Sequence, residues 1–380
     1  MFNFRKTRMY CSDLKRISFT KFTLVILSLL FSVLLIYLFI DNTSQSNSIK
    51  DRINHETNTK RTHKKRQLSY SMNFSWPIER PDFATIIKKL ANGDQDAIPH
   101  DMEPINPFSE SFIIENNCKN ESIDMVVLVK SAVIHFENRQ VIRNTWGRNL
   151  SHMFFLLADC DPTDHKCSSR VKEESSLFND LIMVDFVDQY YSLTRKAIAG
   201  LHWIMNFCSA AKYGFFVDDD QYVNVNNVKT FLSDPYHDPF NIRLRNQEDR
   251  HLPRLTQDVD DRLYAGWVGV NWKPFRTKNK HYISIKDYPF DRWPDFVIGR
   301  GYLLSMPAIK EMSLATQFVK TIPFDDYYFS IVRLKLGIRL IHSSRFTRRT
   351  KYKGQNLSKI AVFDCWGNIT CINKVWNDWH

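Results

Sequence analysis

The 380-residue sequence has no internal repeat, which sets aside solenoid and propeller architectures. It also lacks a basic stripe, although the formal net charge is +11. Residues 1–21 hold six Lys/Arg against one Asp, and residues 41–70 hold seven against three acids. The remainder, 71–380, holds 39 basic against 37 acidic residues, so a nucleic-acid partner is excluded. No EF-type ligand series is present, which argues against a calcium-binding module. No His accompanies Cys160/Cys167 or Cys365/Cys371 at finger spacing, so disulfides are preferred to zinc there. The one long apolar run exceeds a typical signal-peptide h-region, which argues against a cleaved signal peptide.

That run is Phe22–Ile40, nineteen residues without a charge and long enough to cross a bilayer as a helix. Arg5, Lys6, Arg8, Lys15, Arg16 and Lys21 precede it and Asp41 follows, so the N-terminus stays cytosolic. The expected organisation is a cytoplasmic tail (1–21), a transmembrane signal-anchor (22–40), a disordered lumenal stem (41–103) and a folded domain (104–380). Within the stem, 41–70 is too polar to fold. Phe83, Ile86, Ile87 and Leu90 form a short amphipathic stretch suited to docking on the domain. Six cysteines follow the anchor in an oxidising compartment, allowing up to three disulfides. Their pairing is left open, with Cys160/Cys167 and Cys365/Cys371 close enough to pair locally. Sequons at Asn42, Asn73, Asn120, Asn149, Asn356 and Asn368 all lie on the lumenal side of the anchor.

From Met125 the chain alternates apolar strands with helices. Strands are expected at Met125–Val129, Met153–Ala158, Leu181–Phe186 and Tyr213–Val217, with helices near Arg139–Trp146 and from Leu193 to Ala211. This rhythm predicts an α/β fold with a mainly parallel central sheet, whose ligands bind beyond strand carboxyl ends. Asp218-Asp219-Asp220 follows such an end directly. Three adjacent carboxylates repel one another, and a hard divalent cation such as Mn²⁺ or Mg²⁺ removes that cost. Strand alternation would turn Asp218 and Asp220 one way and Asp219 the other. Asp220 is the expected direct ligand. Asp218 is a second ligand, or meets a ribose or a metal-bound water. A plain acidic turn is the competing reading. Phe324-Asp325-Asp326 precedes a helix, so its acids are either first-turn residues or a general base. Gly299-Arg300-Gly301 reads as a turn, or as backbone brought close to a substrate.

Six stretches, in this order, resemble the beta-1,3-galactosyltransferase family (glycosyltransferase family 31), which includes beta-1,3-N-acetylglucosaminyltransferases. They are NPFSESFIIENNC (106–118), FENRQVIRNTWG (136–147), DLIMVDFVDQYYSLTRK (180–196), AKYGFFVDDDQYVN (211–224), WPDFVIGRGYLLS (293–305) and FDDYYFSIVRLKLGI (324–338). The resemblance implies a GT-A type domain in a Golgi membrane protein. It implies inverting transfer of a hexose from a UDP-sugar to a glycan acceptor on protein or lipid, with Mn²⁺ at the triplet. It also implies UDP-sugar binding by Arg139, Arg143, Trp146, Lys196, Asp218 and Asp219. Asp326 is implied as the base, with Asp325 as the alternative.

Three positions depart from the family pattern. Tyr327 stands where Val is usual, and His281 where Trp is usual before Tyr282. A His usual near the C-terminus, able to serve as a further metal ligand, is absent from Val362-Phe363-Asp364-Cys365. Asp364 is the nearest substitute and His342 a remoter one. The other class of reading is a catalytically weak lumenal relative that binds glycans or stabilises a partner.

Overall fold

The computed structural model describes residues 82–118, 122–242, 261–346, 357–365 and 367–379. The expected anchor (22–40) and the polar stretch 41–70 lie outside them. Among the described residues no helix is long and apolar enough to cross a membrane.

Helix α1 (Phe83–Ala91) buries Phe83, Ile86, Ile87 and Leu90, the four residues whose helical spacing predicts a docking face. Phe83, Ile86 and Ile87 join the main core, so the folded unit reaches back before residue 104 to include this helix. Strands β1 (Phe112–Ile114) and β2 (Ile123–Lys130) follow, then α2 (Phe136–Asn144), β3 (Met153–Asp159) and α3 (His165–Phe178). Next come β4 (Leu181–Val187), α4 (Leu193–Phe207), β5 (Ala211–Asp218), β6 (Gln221–Val223) and α5 (Val225–Ser233). The last part comprises β7 (Tyr264–Gly269), β8 (Phe296–Ser305), α6 (Met306–Ala315), α7 (Asp325–Lys335), β9 (Ile341–His342), β10 (Val362–Asp364) and α8 (Ile369–Asn377).

One eight-stranded sheet has the order β1-β4-β3-β2-β5-β8-β7-β9, and β10 pairs separately with β6. Strands β4, β3, β2 and β5 are parallel, as the strand–helix rhythm predicts. Strand β8 runs antiparallel to β5 and to β7, so the sheet as a whole is mixed. Successive steps from β2 to β3 to β4 move outward on one side, and α4 then returns the chain to the other side of β2. The order therefore reverses between β2 and β5, and a crevice opens at their carboxyl ends.

Period-two alternation along β2 divides the core. Val126 and Leu128 pack with α1, α4, α6 and α7 on one face. Val127 and Val129 pack with α2, α3, α5 and α8 on the other. With both faces covered, a wholly apolar strand is what the sheet requires. Helix α4 stops at Phe207 rather than Ala211, because Cys208 leaves the helix, bonds Cys118 and lets Ala211 open β5. Trp146 lies beyond the end of α2 at Asn144. The other two disulfides are Cys160–Cys167 and Cys365–Cys371, the two local pairs. Asn149 and Asn368 are exposed; Asn42, Asn73, Asn120 and Asn356 lie outside the described residues.

Candidate active site

Strand register builds the site. In the β2–β5 pair Lys130 stands opposite Asp218. The Lys130 ammonium is 3.0 Å from Asp218 Oδ1 and 2.6 Å from Asp325 Oδ2. One buried cation thus joins the Asp triplet to the second acidic pair. Burial would lower the Lys130 pKa, but Asp218 and Asp325 hold it above the ordinary range, so it is charged. Gly299 of β8 lies beside this contact: a Cβ there would stand in ordinary contact, 3.4 Å from Lys130 Nζ and 3.5 Å from both Asp325 oxygens.

Strand β5 ends at Asp218, and Asp219-Asp220 form a turn. The alternation expected along a strand therefore does not govern them, and all three aspartates line the cleft. Asp219 accepts from Ser131 Oγ at 2.6 Å and pairs with His135 Nδ1 at 2.9 Å, which raises the His135 pKa. Asp220 accepts from Gln221 Nε2 at 2.6 Å and from the Gly367 backbone N–H at 3.0 Å. Asp218 leaves 36% of its side-chain surface open to the cleft, yet protein surrounds it. Burial, helped by Asp220 and Asp325 and opposed by Lys130, pushes it up to about 7.

The C-terminal segment closes over the triplet. Strand β10 pairs with β6, placing Asp364 opposite Gln221. Asp364 is buried, ion-paired with Arg300 and bonded to Gln221 Nε2 at 3.2 Å. It therefore reaches Asp220 through Gln221. Val362 lies over Gly301, where a Cβ would come within 3.0 Å of it. Gly299-Arg300-Gly301 is thus interior strand rather than a turn, with Gly299 and Arg300 on the cleft wall. His342, the remoter metal candidate, is on β9 beside Trp267 and does not line the cleft.

Asp325 and Asp326 open α7, where the helix macrodipole favours carboxylates. Asp325 is held by Lys130. Asp326 accepts from the Tyr327 N–H at 2.9 Å. Burial first, and Asp325 second, push Asp326 up to about 7 against the Tyr327 bond and Lys130. Adjacent carboxylates thus sit in different settings: Asp325 balances a cation, whereas burial raises the pKa of Asp326.

The cleft measures about 930 Å³. Its parallel-strand side is formed by Ser131–His135, Asp188 and Lys196, and its other side by Tyr190, Phe275, His281 and Phe324. Lys196 donates to Ser131 O at 2.8 Å and pairs with Asp188 at 2.8 Å. Burial lowers its pKa and Asp188 opposes that shift. Arg139, Arg143 and Trp146, expected beside the nucleotide, do not line the cleft. Arg139 is wholly buried, binds both oxygens of Glu174, and donates to the carbonyls of Ala132 and Val133. Arg143 pairs with Glu174 and Asp180, and Trp146 Nε1 donates to Gln221 O at 3.1 Å. These three brace the wall from behind. Glu174→Gln takes the carboxylate from the wholly buried Arg139, while Arg143 keeps Asp180, and should destabilise the domain by about 3–5 kcal/mol. Thermal unfolding measures this; an unchanged Tm would remove the bracing role.

Lys130, Asp188 and Gln221 were not legible as site residues. Lys130 carried a signal, a cation ending the apolar run of β2 at a strand's carboxyl end. Its partner Asp325 comes from an element far along the chain.

Residues 137–344 match the family described as Galactosyltransferase, over more than half of the chain. The beta-1,3-galactosyltransferase brn of Drosophila melanogaster is 32% identical over 264 residues, covering 67% of this chain and 74% of that one. Beta-1,3-galactosyltransferase 1 of Mus musculus is 30% identical over 253 residues, covering 64% and 70%. Lactosylceramide 1,3-N-acetyl-beta-D-glucosaminyltransferase of Xenopus tropicalis is 28% identical over 260 residues, covering 64% and 63%. The chain belongs to the galactosyltransferase family, and it is a glycosyltransferase.

Proposed function

We propose that the chain is an inverting GT-A type hexosyltransferase. It moves galactose, or an N-acetylhexosamine, from a UDP-sugar to a glycan acceptor on protein or lipid, in beta-1,3 linkage. One observation carries the reading: Asp218–Asp220 and Asp325–Asp326 face one cleft at the switch point of the sheet, joined by Lys130. The nucleotide lies over the carboxyl ends of β2 and β4, against Ser131, His135 and Asp188. The acceptor enters along Tyr190, Phe275 and His281, whose rings suit the apolar face of a pyranose. Asp326 takes the proton of the attacking hydroxyl as its oxygen bonds the anomeric carbon. The sugar–phosphate bond breaks on the opposite face, and UDP leaves with that electron pair.

Among the described residues no three His, Cys, Asp or Glu side chains converge as a ready ligand set. Mn²⁺ or Mg²⁺ needs none, since one or two carboxylates and substrate phosphates hold it. The donors present fit such an ion. Asp220 and Asp218 offer hard oxygens, and the buried Gln221 Oε1 beside Asp220 has no hydrogen-bond partner. Bound there, the ion would supply Lewis-acid stabilisation of the leaving diphosphate.

We place the enzyme in the Golgi membrane as a single-pass type II protein anchored by residues 22–40. The cytosolic-side charge, three disulfides and exposed Asn149 and Asn368 support this. The full-length chain in detergent, screened against UDP-galactose, UDP-N-acetylglucosamine and UDP-N-acetylgalactosamine, should transfer one sugar with Mn²⁺. Chelator should stop transfer and added Mn²⁺ restore it. The missing C-terminal His, with its nearest substitute Asp364 already paired to Arg300, slightly favours a second reading, a weakly catalytic glycan-binding relative; the Asp triplet and Asp326 count against it. Glycan binding without transfer from any donor would establish it.

A further inference from the structure

The segment between β7 and β8 is built as a rigid piece. Arg276 donates to four of its carbonyls: Ile283 at 2.9 Å, Ser284 at 3.0 Å, Tyr288 at 2.6 Å and Phe290 at 2.7 Å. Tyr288, Trp293 and Tyr327 are all buried. Their rings form a continuous stack. Tyr288 lies 4.0 Å from Trp293, and Trp293 lies 4.3 Å from Tyr327 with an interplanar angle of 3°. Phe296 packs edge-on against Tyr327 at 4.7 Å. The same segment carries Phe275 and His281 to the cleft wall.

Tyr327 follows Asp326 directly, and its N–H donates to Asp326 Oδ1. Helix α7 has no side-chain N-cap, so local capping does not fix its first turn. Lys130 holds Asp325 of that turn, and the ring of Tyr327, clamped between Trp293 and Phe296, holds the residue that follows Asp326. We propose that Trp293 and Tyr327 are positioning residues for Asp326. Their stack fixes the direction of its carboxylate and joins the acceptor wall to the base. This rests on Asp326 being the base, as proposed above. A base displaced by about 1 Å can lose on the order of a hundredfold in rate, so a stack of this kind has kinetic weight.

The test compares the full-length chain with Tyr327→Val, Tyr327→Phe, Trp293→Phe and Asp326→Asn, each assayed for transfer across a pH series. Valine removes the ring but stays apolar. Tyr327→Val should lose about tenfold to a hundredfold in kcat, shift the acid limb of the pH profile, and leave donor KM unchanged. Tyr327→Phe keeps the stack and should stay within about twofold of wild type. If Tyr327→Val does not fold, Trp293→Phe, with less ring overlap, should show the same kcat loss at constant donor KM. Wild-type kcat and pH profile in the ring-shortened variants would overturn the proposal. So would equal damage in Tyr327→Phe, which would assign the effect to the hydroxyl, or a kcat loss matched by a rise in donor KM. Asp326→Asn separates the two levels. If it transfers normally, the base assignment fails; if it alone is inactive, only the stack fails.

Discussion

Asp326→Asn is expected to lower transfer by a factor on the order of a hundred or more, the usual scale of a positioned base. Asparagine keeps the size and the acceptor for the Tyr327 N–H, so the first turn of α7 should persist. UDP-sugar affinity should be unchanged, because the proposed nucleotide side of the cleft is the wall of Ser131–His135 and Asp188. Asp325→Asn should keep more activity, since Lys130 retains Asp218 at 3.0 Å. A reversed order would assign the base to Asp325; normal turnover in both would make the pair a helix start only.

The same substitution has a signed effect on stability. Burial and Asp325 push Asp326 up to about 7, above its unfolded value of 3.8. Folding is therefore favoured by the protonated form. That contribution is fully present below the unfolded pKa and is lost as pH rises through about 7. Asparagine mimics the protonated carboxyl at every pH. Asp326→Asn should thus unfold at a higher Tm than wild type at pH 8, with the gap closing towards pH 4. Loss of transfer with gained stability is the signature of a functional charge; loss of both would mark a structural residue. In the wild type, kcat/KM should fall on the acid side of about pH 7, where Asp326 holds its proton.

The parts of this arrangement that sequence disclosed are those written locally. The runs at 125–129 and 213–217 are apolar throughout because their strands are covered on both faces, and the triplet is a charge run abutting one of them. Phe83, Ile86, Ile87 and Leu90 disclosed α1 by spacing alone. What sequence hid depends on register and on distant partners. Lys130 meets Asp218 because β5 adds beside β2, and meets Asp325 because α7 begins beneath β8. The resemblance implies Arg139 and Arg143 beside the nucleotide; Glu174 of α3 and Asp180 just before β4 hold them behind the wall. Asp364 has no local motif; β10 brings it opposite Gln221. The antiparallel β7–β8 extension was equally hidden, because no helix separates its strands to set a rhythm.

Asp220→Asn should abolish metal-dependent transfer, a loss on the order of a thousandfold if Lewis-acid stabilisation is worth several kcal/mol. The geometry makes this substitution informative. Both Asp220 oxygens are already held, one by Gln221 Nε2 and one by the Gly367 N–H, so the carboxylate is fixed before any ligand arrives. Asparagine keeps one acceptor and the shape, and removes the charge that a hard divalent cation requires. Asp219→Asn should do less harm, because its partners are Ser131 and His135 on the nucleotide side. Its loss should appear mainly as a rise in donor KM. Residual transfer in Asp220→Asn should need far more Mn²⁺, whereas a variant damaged in its fold would lose activity without a change in metal dependence. Wild-type turnover in Asp220→Asn, insensitive to chelator, would end the metal reading. Lys130 would then be the one cation among the described residues bridging the Asp triplet and the Asp325-Asp326 pair.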